Sequence, residues 1–208
     1  MMKQLTLVLF FASCVFSAAY SQDFEGTILY EASYQNLTPE MKKMLPDQNP
    51  QSVFSFKGNK TKMEMEMMGM KMVVLSDLEK NTSISYTDVM GQKFKATTPI
   101  DDSDKVEITL VDGETKKIAG YLCKKAIMKQ PEMPDVEVYY AEDLKSSAIS
   151  SMLSQFGKLA GIPLEYQIQQ QGITMTFSAK EVKRQSLSNS IFNPPAGEYK
   201  KAPAMPKY

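Results

Sequence analysis

In Pro163–Ala179, PLEYQIQQQGITMTFSA, apolar residues occupy every second position of two short runs, and the phase reverses at Gln171-Gly172. Period-two alternation puts each apolar set on one side of an extended chain, and a two-residue loop ending in glycine joins two such chains as a hairpin. The spacing predicts Ile168 opposite Met175, Tyr166 opposite Phe177 and Leu164 opposite Ala179. A slip of one residue would turn that set toward water, so periodicity and turn chemistry support a single register. The remaining chain must then supply something for this apolar face to lie against.

The same pairing test extends to Ser52–Thr97. With Gly58-Asn59 as a loop, Phe54 opposes Met63; with Met68-Gly69 as a loop, Met67 opposes Met70, Met65 opposes Met72 and Met63 opposes Val74. A three-residue loop Glu79-Lys80-Asn81 would set Ser76 against Ile84 and Val74 against Tyr86, and Phe94 and Ala96 follow on a further strand. These registers keep one continuous apolar face and predict an antiparallel meander. Upstream, Phe24–Gln35 alternates as a first strand. Thr38 is placed to cap a short helix with Pro39 in its first turn and Met41, Met44 and Leu45 at helical spacing. Downstream, Val106–Leu110 and Val136–Tyr140 read as strands. Thr115–Lys129 suits strands better than a helix, because Gly120 would cost a helix interior about 1 kcal/mol.

Asp143–Gly157 is expected as the principal helix: Asp143 caps it, Leu144, Ala148, Ile149, Met152, Leu153 and Phe156 form one stripe, and Gly157 ends it. Beyond Glu181 the periodicity fades, and four prolines make the end, from about 193, an irregular tail. The expected architecture is mainly β: a curved antiparallel sheet of about eight to eleven strands, with helix 143–157 against its concave face.

Met1–Ser21 carries Lys3, an apolar run over Leu5–Phe16 and small residues at Ala19 and Ser21, which reads as a signal peptide cleaved near Ser21. No other stretch approaches the length of a membrane span, so 22–208 is expected as one exported domain, periplasmic or secreted. Phe11-Ala12-Ser13-Cys14 also resembles a degenerate lipobox, under which Cys14 would be acylated and anchor a lipoprotein; both readings stay open. Losing Lys3 turns 24 basic and 24 acidic residues into 23 and 24, a balance that argues against a nucleic-acid surface. Cleavage also leaves Cys123 as a single cysteine, read as a small buried side chain.

The chain contains no histidine, which removes the usual general base, a common zinc ligand and the Ser-His and Cys-His arrangements together. No phosphate loop, dinucleotide fingerprint or nucleophile elbow occurs, and Asp101, Asp102 and Asp104 miss the calcium-loop spacing where Lys105 stands. A non-enzymatic protein without a cofactor is therefore expected. What stands out is Lys62–Met72, KMEMEMMGMKM. On the hairpin pairing its methionines share one face with Phe54 and Tyr86, opposite Glu64, Glu66 and Lys71. Core packing and a deformable lining for an apolar ligand both fit this arrangement. Because thioethers suit Cu(I), a metal site of Met63, Met65, Met67, Met70 and Met72 is a third reading. The lining expected for an apolar ligand is Phe54, Phe56, Met63, Met65, Met67, Met72, Tyr86, Tyr166, Met175 and Phe177.

Taken together, the F-x-G-x-I-x-Y strand at Phe24–Tyr30, Gly58–Glu64, the I-A-G-Y-x-C-K-K segment ending at Lys125 and F-x-x-L-x-G-I-P-L-E-Y at Phe156–Tyr166 resemble exported bacterial proteins of unknown function. These are of the DUF4412 and GLPGLI kinds, distantly similar to LolA-like lipoprotein carriers. The resemblance implies a half-open barrel with a helix on its concave side and an apolar cavity. It further implies non-catalytic binding of a lipid, acyl chain or other apolar small molecule, with an envelope lipoprotein as a possible partner. It supplies no catalytic residue. The carriers' latch arginine has no counterpart here, and the GLPGLI signature is degenerate at Leu159–Pro163.

Overall fold

The computed structural model describes residues 23–44, 49–67, 69–100, 106–129, 134–152, 154–170 and 172–202. The expected leader with Cys14, the aspartates at 101–104, Met68, Leu153 and Gln171 lie outside them. Phe24 and the alternating residues after it build β1 (Gly26–Gln35), followed by α1 (Pro39–Met44). Thr38 caps α1 as expected, its Oγ1 accepting from the Met41 amide at 3.3 Å. The meander is β2 (Gln51–Lys57), β3 (Lys60–Met67), β4 (Met70–Asp77), β5 (Thr82–Val89) and β6 (Gln92–Thr98). A second run gives β7 (Glu107–Ile118), β8 (Tyr121–Lys129), β9 (Val136–Ala141), β10 (Ile162–Gln170) and β11 (Ile173–Arg184), with β12 (Lys200–Lys201) last.

These strands form one open sheet of 12 in the order β12-β6-β5-β4-β3-β2-β1-β11-β10-β9-β8-β7. Every ladder is antiparallel except β12 on β6. The sheet is strongly curved: β7 and β11 have Cα atoms within 8 Å although three strands separate them, whereas four flat strand spacings would span about 19 Å. Bulges in β1–β11 at Leu29/Tyr30, in β9–β10 at Pro163/Glu165 and in β7–β8 at Val111/Thr115 supply local bend and twist. Lys116 on β7 donates to Glu165 of β10 at 2.6 Å, and Ser178 of β11 donates to the same carboxylate at 3.0 Å.

Several predicted registers hold. Ile168 faces Met175 and Tyr166 faces Phe177; the ladder ends at Glu165–Ser178, with Leu164 buried beyond it. Phe54–Met63, Met63–Val74, Met65–Met72 and Met67–Met70 are also direct pairs. The next turn differs from expectation. It holds four residues, Leu78–Asn81, because Asp77 still pairs with Thr82, so Leu75 faces Ile84 and Val73 faces Tyr86. Asn81 at φ 48° and a hydrogen bond from its amide to the Leu78 carbonyl at 3.1 Å close this longer turn. The one-residue change moves Ile84 and Tyr86 to the other side of the sheet.

The segment expected as helix 143–157 is not an α-helix. It holds two 3-10 turns, Ile149–Ser151 and Ser154–Lys158, preceded by non-helical chain. Its serines compete for the backbone bonds a helix would need. Ser146 Oγ accepts from the Ala148 amide at 3.2 Å, Ser151 Oγ donates to the Ala148 carbonyl at 2.5 Å, and the Ser147 amide binds Asp23 at 3.1 Å. Neighbouring chain takes others: the Phe24 and Ile162 amides donate to the Lys145 and Leu144 carbonyls at 2.6 and 2.8 Å. The apolar residues nevertheless do the covering expected of them, and Leu144, Ala148, Ile149, Met152 and Phe156 are buried.

Beyond Arg184 the chain runs as a strap along the sheet. Leu187 binds Glu25 through its amide at 2.6 Å and the Lys57 ammonium through its carbonyl. After a 3-10 turn at Asn189–Phe192 the chain brings Tyr199 against Tyr86, ring centroids 5.1 Å apart, before β12 joins β6. This strap covers the outer face, and the 144–159 segment covers the inner one.

Candidate functional site

Register fixes which side chains share the inner face. One row runs Tyr30, Ser52, Met65, Met72, Thr87 and Phe94 across β1 to β6; the next runs Ile28, Phe54, Met63, Val74, Ser85 and Ala96. Followed through the six strands, this face carries no charged residue. An outer row beside the first is Glu31, Gln51, Glu66, Lys71, Asp88 and Lys93. Its alternating charges include Lys71–Glu66 at 3.5 Å.

Part of the inner face is filled. Phe156 packs edge-on against Tyr166 at 5.0 Å, Tyr166 stacks on Phe177 at 5.0 Å, and Tyr30 meets Phe54 at 5.5 Å. The Tyr30 hydroxyl donates to the Pro163 carbonyl at 2.6 Å, so this fully buried phenol keeps a partner. Burial raises the pKa of Tyr30 well above the ordinary phenol value and pushes that of Tyr166 up as well. The cover reaches β3, where Ser151 and Thr61 hydroxyls lie 2.7 Å apart.

Beyond that contact the inner face opens into an apolar groove of about 170 Å³, lined by Tyr34, Ser52, Met65, Met67, Met175 and Phe177 among others. It exists because β2 begins at Gln51 and pairs with β1 only as far as Glu31. Past that point the Ala32 amide donates to the Pro50 carbonyl at 2.9 Å, and the Tyr34 hydroxyl of β1 reaches across to β3, donating to the Met67 sulfur at 3.5 Å. Burial raises the Tyr34 pKa, so its phenol stays a donor at neutral pH.

Of the ten residues expected to line a ligand site, the structure brings Met65, Met67, Met175 and Phe177 to this groove. Met72 stands beside it as the partner of Met65, and Met63 is packed against the core. Phe54, Phe56 and Tyr166 are buried in the core. Tyr86 is on the outer face beneath Tyr199, a consequence of the four-residue turn. Sequence reasoning missed Tyr34 and Ser52, although both fall in phase with residues it had placed on the inner face.

Cys123 is fully buried, and burial pushes its thiol up to about 11. A thiol both inaccessible and protonated should be inert. Labelling by a disulfide reagent at pH 8 is expected to occur only on unfolding; rapid reaction of the native protein would contradict the burial. Among the described residues no three His, Cys, Asp or Glu side chains group to hold a metal ion, and no helix is long and apolar enough to cross a membrane.

Among solved structures, an uncharacterised conserved protein from Thermus thermophilus superposes at TM-score 0.54 with 9% identity, over 88% of this chain and 91% of that one. It shares the fold. Weaker similarity, at TM-score 0.40 and 9% identity, relates 81% of this chain to 56% of a chain in the Pseudomonas aeruginosa MucA/MucB complex. LprF from Mycobacterium bovis gives TM-score 0.37 and 12% identity over 83% of this chain and 90% of that one. No curated protein sequence matches. The profile of a domain of unknown function, DUF4412, matches residues 38–193, from the cap of α1 into the strap, and the chain belongs to that family.

Proposed function

We propose that this protein is an exported, non-catalytic binder of an acyl chain or comparably apolar ligand. The ligand lies along the uncharged inner face of β3–β6 and inserts into the groove between Tyr34, Met65, Met67, Met175 and Phe177. The observation that carries this reading is the segregation of charge, with six strands placing every Lys, Asp and Glu on the outer face. A hydrocarbon laid on such a face strips water from no charged group, and each buried methylene contributes about 0.8 kcal/mol. Thioether side chains adapt to ligands of differing shape. The groove's hydroxyls, Tyr34 and Ser52, have no histidine to act as base, in keeping with binding without turnover. The leader at Met1–Ser21 supports an envelope location, where the acyl anchor of a lipoprotein is a ligand of this chemistry.

The test uses the delipidated mature protein and a fluorescent fatty acid. Met65→Asp places a carboxylate on the groove wall and is expected to weaken binding at least tenfold. Met41→Asp, on exposed α1, should leave it unchanged. Equal affinity in both variants, or no binding by the parent protein, would overturn the reading.

A further inference from the structure

The groove also gathers sulfur. Met65 and Met67 reach it from β3 and Met175 from β11, strands separated in the sheet by β2 and β1. Tyr34 joins these two sides: it is the direct cross-strand partner of Met175 and hydrogen-bonds the Met67 sulfur at 3.5 Å. A thioether sulfur has two lone pairs; the phenol engages one on Met67 and fixes the side chain while the other remains available. The three sulfur donors are soft and neutral, β1–β6 place no carboxylate on this face, and the chain has no histidine. Hard cations such as Ca²⁺ and Mg²⁺ require several oxygen ligands, and zinc sites draw on thiolate, imidazole and carboxylate. Thioethers suit a soft d¹⁰ monocation.

We propose that Met65, Met67 and Met175 form a three-sulfur site for Cu(I) or Ag(I) at the mouth of the groove. The site differs from a hairpin-only set of methionines: Met63 is packed against the core, and Met175, far away in sequence, takes its place. Because a thioether carries no proton to lose, affinity is the same from pH 5 to pH 8, unlike a site built on histidine or cysteine.

Anaerobic titration of the mature protein with Ag(I), and competition for Cu(I) against a chromophoric chelator, should give one metal per chain. The triple variant Met65→Leu/Met67→Leu/Met175→Leu keeps the groove apolar and is expected to lose at least tenfold in metal affinity; fatty-acid uptake by the metal-free parent protein is read separately, so failure of this site and failure of the acyl-binding reading are told apart. A second measurement needs no variant: with methyl-labelled methionine, Ag(I) should shift the methyl resonances of Met65, Met67 and Met175 and leave that of Met41 in place. Absence of Ag(I) binding, full affinity in a folded triple variant, shifts confined to other methionines, or affinity that falls as pH drops from 8 to 5 would each overturn the proposal.

Discussion

Gly161→Ala is expected to destabilise the protein by about 3 kcal/mol or more, the upper end of what overpacking costs a core. A Cβ at this buried position would lie 2.0 Å from the Ala141 carbonyl oxygen and 2.6 Å from its carbon. Both are backbone atoms, so no rotamer change relieves the clash. Nor can the backbone readily retreat, since Ile162 pairs with Ala141 in the β9–β10 ladder and its amide is held by the Leu144 carbonyl at 2.8 Å. For a domain of this size the melting temperature should fall by roughly 6–12 °C. Gly172→Ala is the contrast: at φ +79° with open space around it, it should cost only about 1–2 kcal/mol, the strain of an L-residue in the left-handed region. A Gly161→Ala protein melting within about 2 °C of the parent would show that the β9–β10 approach is looser than described.

Phe156→Ala is expected to cost about 3–5 kcal/mol, the range for deleting a buried aromatic ring. Phe156 is fully buried, and its ring lies 5.0 Å from that of Tyr166. The cover segment around it consists of short 3-10 turns, so packing onto the sheet, more than its own hydrogen bonds, holds it in place. Tyr166 in turn stacks on Phe177, which lines the groove. The void therefore opens next to the groove proposed for the ligand, and the fatty-acid probe should raise the melting temperature of the variant by more than that of the parent. Denaturant unfolding with and without probe measures both effects. An unchanged midpoint would refute the anchoring role of Phe156, and equal stabilisation by the probe would disconnect the void from the groove.

Hairpin registers were legible in the sequence at three short turns that carry glycine, Gly58-Asn59, Met68-Gly69 and Gln171-Gly172. Gly58-Asn59 and Met68-Gly69 leave the alternating methionines one way to pair. At Leu78–Asn81 no glycine marks the turn, and its size is influenced by a neighbouring loop: the Leu78 amide binds the Asn59 carbonyl at 2.9 Å and Asn59 binds Glu79 at 2.9 Å. Such tertiary bonds have no local signature, and the resulting shift of one residue carried Tyr86 to the other face. The stripe of Asp143–Gly157 correctly marked Leu144, Ala148, Ile149, Met152 and Phe156 as buried, with Leu153 outside the described residues, but not the backbone form, because serines bonding to nearby backbone can satisfy it without an α-helix. The groove was half legible. Met65, Met67, Met175 and Phe177 declared their face by alternation; the gap that makes room between them depends on where β2 starts relative to β1, which no periodicity reveals.

The position of β1 has a consequence for assembly. All antiparallel ladders but one join strands adjacent in sequence; the exception pairs β1 with β11 along ten residues, Gly26 with Arg184 at one end and Gln35 with Thr174 at the other. The two meanders, β1–β6 and β7–β11, can each zip by closing loops of at most 20 residues, the 142–161 connection being the longest, whereas the seam between them must enclose nearly the whole domain and bears the largest loss of chain entropy. In a protein threaded through a membrane from its N-terminus, β1 emerges first and waits for β11, with the edge that will become the middle of the sheet exposed meanwhile. The inner face is complete only when the last long strand arrives, so a polypeptide interrupted before residue 173 lacks both Met175 and the wall of the groove.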